Sequence, residues 1–156
     1  MGTELLIGEF KATLDEKGRI SLPVNLRKAL NEEKLILTQN YYENCLWLFP
    51  VEEYKAKLNT IKEKTGILTE KDRIIRRRFF NSHEIEIDKA GRIPIIQNYR
   101  EYAELTKDCV FLGQGDYIEI WDEEHYRNYY ENSKDDFITA SDELDKIIKK
   151  ERGGNE

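Results

Sequence analysis

Nowhere does this 156-residue chain carry a run of about eighteen apolar side chains, so no membrane-spanning helix is expected. Its opening, MGTELLIGEFK, has neither a basic start nor an apolar stretch long enough for a secretion signal, and Met1-Gly2 lacks the Ser or Thr of a myristoylation site. Cytoplasm is the expected location. Cysteine and histidine are scarce, two of each: Cys45, Cys109, His83 and His125. None are spaced as paired zinc ligands, and two thiols make no disulfide framework. Each cysteine sits in an apolar run, CLWLF or CVFLG, and reads as a small buried hydrophobe. No nucleophile with a base, metal set or phosphate-cradling glycine loop is present, and acids such as Asp135 and Asp136 do not make a site alone. The expectation is therefore no enzyme, no cofactor, no metal and no small-molecule substrate.

What the chain has in quantity is charge. Charged residues make up 36% and hydrophobic ones 39%, with a mean hydropathy of −0.73, which describes a soluble protein with one economical core. The net charge of −6 is unevenly spread. Residues 1–80 hold 15 basic and 12 acidic side chains, net +3, whereas 81–156 hold 10 and 19, net −9. An acidic total argues against diffuse coating of nucleic acid, so any binding to DNA must come from defined loops.

The chain also repeats itself. LDEKGRISLPVNLR, Leu14 to Arg27, returns as IDKAGRIPIIQNYR, Ile87 to Arg100, at an offset of 73. Asp15, Gly18, Arg19, Ile20, Asn25 and Arg27 fall on Asp88, Gly91, Arg92, Ile93, Asn98 and Arg100. Such units often cannot bury their apolar face without each other. Phe10, Ala12 and Leu14 alternate before the first turn and Ile20 and Leu22 after it; Ile85, Ile87, Ile93 and Ile95 keep the parity. Both copies read as strand, tight turn, strand, with the Asp bonding nearby backbone N–H groups and the Gly free to take positive φ. Pro23 then opens a short helix carrying Leu26, Ala29 and Leu30, matched by Tyr99, Tyr102 and Ala103.

A hairpin and a further helix complete each repeat. KLILTQNYYENCLWLFP answers to DCVFLGQGDYIEIWD, with Phe49 on Trp121 and Tyr54 on Tyr126 at offset 72. Pro50 and Asp122 open the helices that follow. The expected parts are a first repeat at 5–64, a helical basic linker at 65–82, a second repeat at 83–132 and an acidic tail at 133–156. The linker breaks at Gly66, restarts at Thr69, and holds Arg73, Arg76, Arg77 and Arg78. Arg73, Arg76 and Arg77 share a face, for phosphate or for salt bridges to neighbouring carboxylates. In the tail, Tyr126, Tyr129 and Tyr130 read as core or subunit contact, Leu144, Ile147 and Ile148 as a short helix after Ser141, and GGNE as a frayed end.

Arginine in a turn has two readings. Arg19 and Arg92 can present a planar fork to phosphate or to the O6/N7 edge of guanine, or pair with the Asp that caps their own turn. Lys17 and Lys89 add point charges beside them.

The doubled D-x-x-x-R, the GRIxxP form of the first copy, the following Arg27 and the late GDYIEIWDEEHY resemble the MraZ family, built on the AbrB-type DNA-binding fold. The likeness runs from about Gly8 to Tyr130. It implies an α+β fold in which two AbrB-like swapped-hairpin repeats interlock as a β-barrel with flanking helices. It further implies a nucleoid-associated transcriptional regulator, a ring of several chains on repeated double-stranded promoter boxes of the division and cell-wall gene cluster. On that reading Arg19 takes a base edge or phosphate, with Arg92 its counterpart. Lys17 and Arg27 take phosphate, Lys11, Lys28 and Lys89 support them, and Asp15, Gly18, Asp88 and Gly91 shape the loops. An alternative from the same fold is an antitoxin-like or scaffold protein whose loops or tail bind a protein partner. The two copies are not expected to contribute equally. Glu9 to Leu30 holds five basic and three acidic residues, net +2, whereas Ser82 to Ala103 holds three and four, net −1. The second copy also has Ile96 in place of Pro23, and Pro94 earlier in its strand.

Overall fold

The computed structural model describes residues 5–153. They form eight strands and six helices in the order β1 (Leu6–Thr13), β2 (Arg19–Ser21), α1 (Val24–Leu30), β3 (Lys34–Gln39), β4 (Leu46–Pro50), α2 (Val51–Lys64), α3 (Glu70–Phe79), β5 (Ser82–Glu86), β6 (Arg92–Pro94), α4 (Gln97–Tyr102), β7 (Asp108–Gly115), β8 (Ile118–Asp122), α5 (Glu123–Asn132) and α6 (Lys134–Gly153). Each repeat is strand, turn, strand, short helix, hairpin, helix, as the duplication predicts. The fold is α+β.

The repeats interleave. One sheet runs β1-β7-β8-β4-β3-β5, and a second pairs β2 with β6, every pair antiparallel. The first strand of each repeat thus lies on the hairpin of the other: β1 on β7, β5 on β3. Exchanging the repeats leaves the strand order unchanged. Ile20 pairs with Ile93, its equivalent at offset 73, and Trp47 with Glu119, its equivalent at offset 72. An approximate two-fold therefore passes through both pairs. The hydrogen bonds divide the eight strands into two sheets, joined by the Leu14–Ile20 bridge.

Interleaving follows from what each repeat has to bury. Ile20, Leu22, Leu26, Leu35, Leu37, Leu46 and Leu48 of the first repeat and Ile85, Ile93, Ile95, Tyr99, Phe111, Ile118 and Ile120 of the second form one cluster. Each fully buried aliphatic contributes about 1.5–3 kcal/mol. Cys45 and Cys109 are buried thiols, pushed up by desolvation, Cys109 to about 12.

The linker is a pinned corner. Thr69 caps α3 by accepting from the Asp72 amide at 3.2 Å, and Gly66 N–H donates to Asp72 Oδ2 at 2.9 Å. At its far end three phenols hold the backbone between residues 78 and 81: Tyr41 donates to the Arg78 carbonyl, Tyr54 to that of Phe79 and Tyr99 to that of Asn81.

The chain divides into two compact units, Met1–Glu123 and Glu124–Glu156. The second is helical. Its α6 starts at Lys134, well before the Ser141 start expected from Leu144 and its neighbours, because Asp135 and Asp136 suit the positive N-terminal end of a helix and Phe137 N–H already donates to Ser133 O at 2.9 Å. Tyr129 and Tyr130 of α5 and Phe137, Ile138, Leu144 and Ile147 of α6 are exposed. The last residues of GGNE lie outside the described residues.

Candidate nucleic-acid interface

The site is built on the two turns between β1 and β2 and between β5 and β6. In the first, the Asp15 carboxylate folds back on its own backbone: Oδ1 accepts from the Lys17 and Arg19 amides, each at 2.9 Å, and Oδ2 from Arg19 Nε at 3.1 Å. Asp15 N–H donates to the Arg19 carbonyl at 2.8 Å and Gly18 N–H to the Asp15 carbonyl at 3.1 Å. The second repeats this bond for bond. Asp88 Oδ1 accepts from Ala90 and Arg92 N–H at 2.9 Å, and Oδ2 from Arg92 Nε at 2.9 Å. Gly18 and Gly91 take φ of +80° and +81°, where a side chain would be strained. Bonding from the Arg19 and Arg92 amides, foremost, holds both carboxyls below the ordinary carboxylate range.

Both expected roles of the arginine therefore coexist. Asp15 engages Nε of Arg19 and leaves Nη1 and Nη2 without a partner among the described residues; Arg92 is held in the same way. The ion pair is partly exposed, with Arg19 at 32% and Asp15 at 36%, so it adds little stability but fixes where the fork points. Because Ile20 and Ile93 face the core from the centre of the β2–β6 pair, the alternation of a strand turns Arg19, Ser21, Arg92 and Pro94 to the opposite face. One short ribbon thus carries both arginines outward. Lys17 and Lys89 lie in the same turns with no ion pair among the described residues.

The second turn keeps the shape of the first despite Ile96 and Pro94. Ile96 precedes α4 at φ −62°, ψ 152°, and Pro23 precedes α1 at −55°, 138°, so a non-proline adopts the same corner. Pro94 is accommodated because it sits exposed at the end of β6.

Other expected site residues are placed differently. Lys11, on β1, pairs with Glu123 at 3.2 Å. Lys28, on α1, borders a shallow cleft with Leu5, Ile7, Phe10 and Asn25. Arg27 of α1 lies against Gly91 of the other repeat's turn, where an added Cβ would come within 2.6 Å of Nη1. Arg100 of α4 lies against Gly18 in the same way and donates to the Ile95 carbonyl. This crossing was missed in the sequence, though the recurrence of Arg27 and Arg100 at the offset of the turns was its signal.

Two of the linker arginines, Arg73 and Arg76, bind backbone rather than carboxylates. Arg76 donates to Thr65 Oγ1 at 3.0 Å and to the Thr65 and Lys62 carbonyls at 2.9 and 3.3 Å, meeting the unpaired end of α2. Arg73 donates to the Ile67 carbonyl at 2.7 Å, and Arg78 lies over the Tyr41 ring. Arg77 is exposed. The cluster closes the α2–α3 corner, a partner that the notion of salt bridges to Glu and Asp did not foresee.

Geometry so far defines a class: two interleaved strand–turn–strand repeats in one chain, presenting paired Asp–Gly–Arg turns. Residues 5–77 and 79–147 each match the family model described as "MraZ protein, putative antitoxin-like". A protein of Treponema denticola named transcriptional regulator MraZ is 41% identical over 143 residues, covering 91% of this chain and 99% of that one. Proteins of the same name from Treponema pallidum and a Thermoanaerobacter species are each 38% identical, covering 88% and 92% of this chain and 92% and 99% of theirs. The chain belongs to the MraZ family, a family of regulators and not of enzymes. The likeness extends to residue 147, into α6, beyond the Tyr130 limit read from the sequence.

Proposed function

We propose that this protein is a sequence-specific DNA-binding transcriptional regulator whose two Asp–Gly–Arg turns read repeated promoter boxes of the division and cell-wall gene cluster. The observation that carries the reading is the bond-for-bond identity of two turns that hold Arg19 and Arg92 outward on one β-ribbon. An arginine oriented through Nε keeps both terminal nitrogens for the O6/N7 edge of a guanine, a contact worth about 1–3 kcal/mol of discrimination. Lys17 and Lys89 supply the phosphate term that positions the turns. Lys28 and Arg27 flank them, while Lys11, Arg73 and Arg76 act through the fold.

A single ribbon makes few contacts, so specificity has to come from repetition. Closure of the sheets into a barrel and assembly of several copies into a ring would set several ribbons on spaced boxes, and linked sites gain about 100-fold or more in affinity. Such a regulator works in the cytoplasm, on the nucleoid. The test is selection of bound duplex from a random pool by the purified oligomer. A box recurring at fixed spacing, with affinity falling steeply as salt rises, is the expected result. A pool without enrichment contradicts the reading.

A second reading, a protein partner held by the tail, has one observation in its favour: the exposed Phe137, Ile138, Leu144 and Ile147 of α6. It requires that removal of residues 133–156 abolish capture of that partner while leaving the ribbon unaltered.

A further inference from the structure

We propose that Arg100 is a positioning residue for the first turn and Arg27 for the second, so that each repeat holds the other's DNA-reading loop. The inference rests on the reading of the turns as the DNA-contacting parts. Four observations converge on it. The arginines recur at the offset of the turns, 73. Each reaches from its own short helix to the glycine of the opposite turn, Arg100 to Gly18 and Arg27 to Gly91. The same glycines are tied by their carbonyls across the repeats: Ile95 N–H donates to Gly18 O at 2.8 Å and Leu22 N–H to Gly91 O at 2.9 Å. Arg100 Nη1 then donates to the carbonyl of Ile95 itself, so guanidinium, Ile95 peptide and Gly18 form one connected bracket.

The physical need for such a bracket lies in the turn. Asp15 fixes the loop from within and Ile95 N–H ties its carbonyl, but a glycine at φ +80° carries no side chain to pack, and the space beside it is filled from the other repeat. A planar guanidinium laid there fills the space a Cβ would take. The glycine is therefore required twice, for its backbone angle and for the seat it leaves. A turn ordered beforehand does not lose that freedom on binding, which raises affinity without a new contact. Lysine, a point charge on a flexible stem, cannot reproduce the plate.

The crossing inverts what the sequence suggests. Arg27 sits in the basic repeat but serves the less basic turn; Arg100 sits in the acidic repeat but serves the turn of Lys17 and Arg19. Arg100→Ala is therefore the more damaging substitution for DNA binding.

The test uses the full-length protein with its size in solution checked. Hydrogen–deuterium exchange without DNA should show Arg100→Ala speeding exchange about 10-fold at Gly18 and Ile95 while sparing Gly91 and Leu22, and Arg27→Ala doing the converse. Against the duplex selected by wild type, Arg100→Ala should lose about 3- to 10-fold in affinity, the ordering cost of a side chain or two. It should add almost nothing to Arg19→Ala but add fully to Arg92→Ala, with Arg100→Lys intermediate. Faster exchange in the variant's own turn, full additivity with Arg19→Ala, or a larger loss for Arg27→Ala with the salt slope reduced by about one, the mark of a direct phosphate contact, would overturn the proposal. If wild type selects no duplex, the DNA reading fails while the exchange pattern still decides whether the bracket exists.

Discussion

The two turns of this molecule are copies in shape and opposites in charge. Both are closed by an Asp that accepts from two amides and from the arginine Nε, with glycines one degree apart in φ. Around the first, the flanking strand and helix bring Lys11 and Lys28, and Arg100 crosses to it from the other repeat; around the second they bring Glu84, Glu86 and Glu101, and Arg27 crosses to it. The difference teaches that geometry and affinity are separable here. The fold preserves the turn because the shared core and the crossed backbone bonds need it in both halves. The surface field is free to drift, and has done so.

Four variants sharpen that comparison. The largest effect is expected from Arg19→Ala/Arg92→Ala, which removes both forks: two contacts at about 1–3 kcal/mol each are lost, and specific binding should fall to the non-specific level in a competition titration. Next come Ile20→Ala and Ile93→Ala, side chains fully buried opposite each other on the two-fold. Each should cost about 2–5 kcal/mol in denaturant unfolding, and the two costs should agree closely, because the core is symmetric where the surface is not. A clear inequality would mean that the repeats are not energetic equivalents. Removing residues 133–156 should be nearly silent, leaving DNA affinity unchanged or raised at low salt, since the segment carries Asp135, Asp136, Asp142, Glu143 and Asp145 and the core ends by Asp122. A large drop with the fold intact would assign the tail a part in holding DNA or the assembly.

Lowering pH should have the smallest effect. Asp15 and Asp88 have depressed folded-state values, so their contribution is fully present above the ordinary carboxylate value of about 3.9 and disappears only as pH falls through the lower folded ones. Protection of the two turns, taken relative to the intrinsic exchange rate at each pH, should be flat from neutral pH down to about 4 and then fall in both together. Loss of one turn at higher pH would break their equivalence.

Much of this was legible in the sequence because it is written twice. The alternation around DEKG and DKAG marked the strands, Gly18 and Gly91 the turns, and Pro23 and Pro50 the helix starts. Local chemistry decides all of these. What it cannot decide is which strand pairs with which: β1 lies on β7 of the other repeat rather than on its own hairpin, and both repeats feed the common core that this exchange buries. The intramolecular partners of Arg27 and Arg76 are hidden from the sequence for a related reason. A cation in a sequence looks available, yet one faces a glycine in the other repeat and the other the open carbonyls of α2. Neither partner is charged, so charge counting does not find it. The start of α6 was placed late because the apolar spacing becomes regular only from Leu144, whereas capping by acids at 135–136 sets the helix earlier.

The most direct measurement is a titration of Arg19→Ala and Arg92→Ala against the same selected duplex, at matched salt and with the oligomer verified. The account predicts that Arg19→Ala weakens specific binding by about 1–3 kcal/mol for each turn engaged, and that Arg92→Ala costs clearly less, because the second turn lies in an acidic surround. Equal losses, or a larger loss for Arg92→Ala, would contradict it.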